Sequence, residues 1–241
     1  MNVLMPKREA RLSDLPGVTP AARVARRLVP CAALVAALAV AAAPNDDQTD
    51  STRSVAEARF AIAFESVRSG DLVFRQGQSL VSEVVLRADP DSLYSHVGIA
   101  YTRGDDALVV HAAPGPSFAD EAPVRADPLA AFIEPGVARV ITIRRPKDTA
   151  TAQRAADVAL SYLRDGVVFD ASFDLRSDTA MYCTELVWRA FIASGLDLTE
   201  GHFDELMLPV GAGPYILPSR LIHSPHLNHV LTLGAQHEET P

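Results

Sequence analysis

The sequence predicts an α+β domain, and three observations carry that expectation. Apolar residues recur at helical spacing in 55–67, in 149–163 and around Cys183. Short apolar runs bounded by turn residues read as strands at 71–74, 96–102, 107–112 and 137–144. Most of these strands are neighbours in sequence, and helices and strands mixed in this order form α+β layers rather than a regular βαβ alternation.

Taken in order, residues 44–54 are polar and acidic without apolar periodicity and read as a linker. Val55, Ala58, Phe60, Ile62, Ala63 and Val67 then form one helical stripe, which Gly70 closes. Asp71 to Phe74 is a short strand, with Asp71 a turn residue at its start. A helix over 79–86 stops before Asp89-Pro90. His96–Thr102 and Ala107–Ala112 form a hairpin around Arg103-Gly104-Asp105-Asp106. A turn-rich loop covers 114–123, and Asp127-Pro128 starts a short helix to Ile133. A strand over 137–144 precedes a helix capped by Thr149 and running to about Leu163. The helix that carries Cys183 is expected to be capped by Asp178 or Thr179 and ended by Gly195. A turn at Pro218-Ser219-Arg220-Leu221 and a last strand near 229–233 complete the chain, which holds no internal repeat.

The apolar run Leu28 to Ala43 follows Arg23, Arg26 and Arg27 and ends in small residues, with Val40-Ala41-Ala42 a cleavage site. Residues 1–43 therefore read as a secretory signal or a membrane anchor, which points to an exported, periplasmic or cell-envelope protein. Residues 55–241 form one domain, of a size that supports a single core. Loss of residues 1–42 removes six basic and two acidic side chains and moves the formal charge from −8 to −12. A domain this acidic repels phosphate backbones, so nucleic acid is excluded as a partner, and the membrane is met only through the N-terminal segment.

With the signal and its Cys31 removed, Cys183 is the one thiol left, without an intramolecular disulfide partner. It is either a buried filler or a nucleophile. Near a helix N-terminus the unpaired amides and the macrodipole favour thiolate, so a lowered pKa is expected. Antiparallel pairing in the hairpin sets His96 and His111 on neighbouring strands, where one histidine serves as base and the other fixes its tautomer. A neutral histidine in that orienting place adds no charge to stabilise an imidazolium. Tyr94 is a candidate to line the site. Glu185, two positions from Cys183, points away around the helix toward solvent or packing. His223, His226 and His229 recur every three residues, but Pro225 interrupts any helix that would align them, so neither metal nor other cofactor is expected.

Three segments carry a resemblance: Gly70-Asp71-Leu72-Val73-Phe74, Tyr94-Ser95-His96-Val97-Gly98-Ile99 and Tyr182-Cys183-Thr184-Glu185-Leu186-Val187-Trp188. Their ordered set resembles the permuted papain-like amidases of the YaeF/YiiX and YebB type, in the NlpC-like cysteine hydrolase superfamily. The resemblance implies a circularly permuted papain-like fold, an antiparallel sheet with the nucleophile at a helix N-terminus. It also implies Cys183 as nucleophile, His96 as base and His111 as the third polar residue, where many relatives carry glutamate. His111→Glu is accordingly expected to retain or raise activity. A histidine there is also similar to the lecithin retinol acyltransferase branch.

The expected function is an exported cysteine amidase or peptidase acting on cell-wall or other small peptide amides, with no cofactor. Two alternatives stand beside it: lipid acyl transfer or thioester hydrolysis, and a non-catalytic ligand-binding module on the same fold.

Overall fold

The computed structural model describes residues 46–115, 122–177, 179–205 and 213–234. The N-terminal apolar run with Cys31, most of the 114–123 loop and Asp178 lie outside the described residues. Among the described residues no helix is long and apolar enough to cross a membrane.

Helix α1 (Asp46–Ser66) runs back through most of the segment expected as linker. That segment lacks an apolar stripe but is rich in aspartate, which suits the positive end of a helix. Strand β1 (Leu72–Gly77) follows a turn at Gly70, whose φ of 86° and whose approach to the Ala152 carbonyl leave no room for a side chain. Buried Asp71 accepts from Arg68 N–H and from Arg145, tying the start of β1 to the far end of a neighbouring strand. Ser79 caps α2 (Leu80–Ala88) by accepting from Ser82 N–H.

Strands β2 (His96–Arg103) and β3 (Asp106–His111) form the expected hairpin, with a tighter turn than expected around Gly104 at φ 59°. Next come β4 (Arg125–Pro128), α3 (Leu129–Phe132) and β5 (Ala138–Pro146). Asp127, expected to start a helix, lies instead in β4, because 125–128 pair with β3 before the chain turns. Helix α4 (Thr149–Arg164) is capped one residue earlier than expected, by Asp148. Short strands β6 (Val168–Phe169) and β7 (Ala180–Met181) pair in parallel and lead into α5 (Cys183–Ala193). The pairing of 180–181 explains why α5 starts later than expected, with Tyr182 as its N-cap. The small pair β8 (Asp204–Glu205) and β9 (Pro214–Tyr215), helix α6 (Pro218–Ile222) and strand β10 (Leu227–Gly234) complete the fold.

The main sheet has six strands in the order β10-β5-β1-β2-β3-β4, every neighbour antiparallel. Alternation along each strand divides its side chains between two cores. Leu72, Phe74, Val97, Ile99 and Val110 pack with Ala155, Ala159, Leu186, Val187 and Ala190 of α4 and α5. On the other face Val73, Ala100, Val109, Ile141 and Ile143 pack with Ala63 of α1 and with Leu129 and Phe132 of α3.

Candidate active site

Cys183 is the first residue of α5 and is partly buried. Three bonds fix the helix start around it. Glu185 accepts from the Tyr182 N–H at 3.3 Å, Tyr182 Oη accepts from Ile216 N–H at 2.9 Å, and Thr184 Oγ1 donates to Ile216 O at 2.6 Å. One residue of the segment after β9 therefore grips the chain on both sides of the thiol. Glu185 is fully buried rather than solvated; burial raises its carboxyl to about 7, against the pull of Arg189 at 2.8 Å. Arg189 in turn donates to Leu175 O and Ser177 O, which anchors the loop before the helix.

The backbone N–H groups of Val97, Thr184 and Cys183 itself donate toward Sγ. Val97 directly follows His96, so the thiol lies at the head of β2. Burial nevertheless outweighs these amides and the Arg75 cation and pushes the thiol up to about 11. The lowered pKa expected from the helix N-terminus is overturned: desolvation of the charged form costs more than the first-turn amides return.

His96 and His111 are joined directly, Nε2 of the first to Nδ1 of the second at 2.8 Å. The hairpin alternation puts both rings on the face that holds Phe132, whose ring centroid is 5.7 Å from His96 and 5.0 Å from His111. His111 has no solvent exposure, and its Nε2 lies 2.9 Å from Asp127 Oδ2. Burial lowers His111 to about 4, opposed by the bond to Asp127. Burial, then Arg75, His111 and Arg125, lower His96 well below its ordinary value. Burial thus disfavours the charged form of both rings, as it does the thiolate of Cys183.

Sequence reasoning missed three charged neighbours. Asp127 reads as the start of a short helix with Pro128, and nothing in the sequence pattern singles out Arg125 or Arg75. Arg125 Nε lies 3.1 Å from Asp127 Oδ2. Arg75 is the register partner of His96 in β1; it donates to Phe132 O and holds its guanidinium 4.3 Å over the Phe132 ring. Burial and Arg125 lower Arg75 to about 10, so it stays charged at neutral pH. The expectation for His111→Glu also changes, since a carboxylate at 111 would face Asp127.

Beside the thiol lies a cavity of about 450 Å³ with almost entirely apolar walls. Leu80, Val81, Val84 and Val85 of α2 form one side, Phe173, Tyr215 and Ile216 the other, and Cys183 opens into it. Phe173 has a φ of 55°, a left-handed conformation costly for a side chain of this size. Asp170 holds it there by accepting from the N–H groups of Ser172 and Asp174 on either side. Tyr94 does not line this cavity; it is buried against Phe74, ring centroids 6.0 Å apart. His223 closes α6, His226 lies 3.5 Å from Glu200, and His229 bonds to Thr232 in β10. Among the described residues no group of three histidine, cysteine or acidic side chains is placed to hold a metal ion.

A thiol on the first residue of a helix, packed on an antiparallel sheet whose histidine strand comes earlier in the chain, defines a papain-like fold with rotated element order. The description "permuted papain-like amidase enzyme, YaeF/YiiX, C92 family" matches residues 66–231, and the chain belongs to that family. Among solved structures it is similar to the metalloprotein yiiX from Escherichia coli O157:H7, with a TM-score of 0.58 and 24% identity, over 70% of this chain and 99% of that one. No curated protein matches it.

Proposed function

We propose that this chain hydrolyses an amide through Cys183 as nucleophile and His96 as base, with His111 orienting the base. The observation that carries this reading is the 2.8 Å bond between His96 Nε2 and His111 Nδ1, at the head of the strand whose Val97 N–H meets Sγ. With one ring nitrogen of His96 engaged by His111, Nδ1 remains for the thiol proton. Cys183 attacks the carbonyl as His96 takes that proton, and the start of α5 offers main-chain N–H groups to the oxyanion. His96 then returns the proton to the departing amine, which an amide needs in order to leave. Water releases the acyl group. The high pKa of the thiol and the low one of His96 make this general-base attack rather than a preformed ion pair.

The apolar cavity favours an aliphatic or aromatic group on the substrate, and Leu80 and Val84 of its wall are also exposed to solvent at 81% and 61%. That observation supports the second reading, acyl transfer from a lipid. Export remains proposed on residues 1–43 alone, and sequencing the mature N-terminus after cell fractionation tests it. The function is tested by offering purified protein a panel of peptide amides, acyl amides and phospholipids, beside Cys183→Ala and His96→Ala. Amide cleavage with a Cys183 acyl adduct seen by mass spectrometry is expected; acyl transfer from phospholipid without amide cleavage establishes the second reading, and neither activity on folded protein removes both.

A further inference from the structure

The bond between the two histidines raises a question of direction, because a neutral imidazole has one donor and one acceptor nitrogen. Asp127 answers it. Its carboxylate only accepts, so the 2.9 Å contact requires a proton on His111 Nε2. A bare nitrogen there would set two acceptors against each other. With Nε2 protonated, His111 Nδ1 is the acceptor, so the 2.8 Å bond must be donated by His96 Nε2–H. His96 Nδ1 is then the bare nitrogen. Arg125 Nε also points toward His111 Nε2 at 3.4 Å, but it lies closer to Asp127 Oδ2 at 3.1 Å, and the 2.9 Å contact between Nε2 and the same carboxylate oxygen still requires the proton on His111.

We propose that Asp127 is the positioning residue of this site: through His111 it selects the His96 tautomer with a bare Nδ1, and it supplies the negative charge that a neutral histidine in third place lacks. This rests on the reading of Cys183 and His96 as nucleophile and base. When the thiol proton moves to His96 Nδ1, sulfur bonds to the carbonyl carbon, the C=O π pair moves onto oxygen to give the oxyanion, and His96 becomes a cation with both nitrogens protonated. The two hydrogen bonds behind it keep their direction, and no proton passes to Asp127. The positive ring is then stabilised by an acceptor, His111 Nδ1, that is itself polarised by the carboxylate beyond.

Other charges face the same pair. Arg75 from β1 and Arg125 from β4 both oppose a cation on His96. Arg125 keeps 40% of its side-chain surface, against 18% for Asp127 and none for His111. Water screens the arginine more than the buried contact, so Asp127 acts from the better place. The carboxylate here stands one residue removed from the base, with an imidazole as spacer.

The test has one readout that needs no substrate. A ¹⁵N–¹H correlation spectrum of the histidine rings at neutral pH should show His96 and His111 both protonated at Nε2, and Asp127→Ala should release that single pattern. A spectrum unchanged in Asp127→Ala, or Nδ1-protonated rings in the unaltered protein, overturns the proposal. The second readout is the pH profile of kcat/KM on an amide found for the unaltered protein. Asp127→Asn should lower the plateau about 10- to 100-fold, as loss of an orienting partner does, and should move the acid limb to lower pH. A plateau loss with an unmoved limb overturns the electrostatic role. His111→Glu should be nearly inactive, and the double change His111→Glu with Asp127→Asn should recover activity, since it leaves one carboxylate behind His96. Failure to recover, with the double variant folded, counts against the proposal. Inactivity of the unaltered protein defeats the hydrolase reading instead, and the ring spectrum still decides the relay.

Discussion

Gly98 lies so close across the hairpin from His111 that a Cβ added to it would come 3.0 Å from His111 Cβ, 2.8 Å from Val110 O and 2.5 Å from Val109 Cγ1. The missing side chain lets the buried imidazole lie back along β2 toward His96. Gly98→Ala should cost about 1–3 kcal/mol through overpacking and should lower activity more than an alanine elsewhere in β2. Chemical denaturation beside a kinetic assay checks this; a stable, fully active alanine variant would separate the glycine from the site.

The thiol should titrate late. The rate of iodoacetamide modification of Cys183 should still be climbing above pH 9, toward a midpoint of about 11, where an unperturbed cysteine has its midpoint near about 8.5. A midpoint below that ordinary value would restore the ion-pair picture that helix position alone suggests.

Glu185 should make stability fall with pH in a defined window. Its folded carboxyl titrates at about 7 against an ordinary 4.5, so the folded state holds the proton more tightly. Stability is therefore greatest below pH 4.5 for this group and declines as pH rises through 7. Glu185→Gln should flatten that decline, which is worth on the order of 2 kcal/mol, in denaturation curves taken at pH 5 and pH 8. A variant with the same slope as the unaltered protein would assign the decline to other groups.

The grip on the helix start should be sensitive to one hydroxyl. Thr184→Val keeps the shape but leaves the Ile216 carbonyl without its 2.6 Å donor, at a cost of about 1–3 kcal/mol. Activity should fall with it, because the same residue holds Tyr182 on the other side of Cys183. Thermal unfolding and kcat report the two effects separately.

The cavity wall should set acyl preference. Val85→Asp puts a charge into an apolar pocket. KM for substrates with an aliphatic acyl group should rise at least about tenfold, while substrates with a short polar acyl group should be little affected. Equal loss for both would place the substrate elsewhere.

Much of the site was legible because its signals are local. His96 and His111 share a face through the two-residue alternation of one hairpin, and Cys183 opens an amphipathic helix. Asp127 was not legible, since Asp-Pro is a common helix entry and β4 is only four residues long. Its strand character comes from pairing with β3, which depends on the hairpin already being in place. The start of α5 is obscured for a similar reason: β7 is held by β6, whose paired residues lie twelve positions upstream. The cavity is drawn from α2, from the loop before α5 and from the segment around Ile216, and no pattern within any one of these announces the other two.

A protonated, half-covered sulfur also has a bearing on durability. Peroxides and disulfides act on thiolates, so a thiol held up to about 11 exposes very little of the reactive form at neutral pH. Under the proposed mechanism the proton leaves only when a bound carbonyl is in place to receive the sulfur. The burial that slows indiscriminate alkylation would then work as chemical storage, keeping the proposed nucleophile in reduced form through long intervals without substrate.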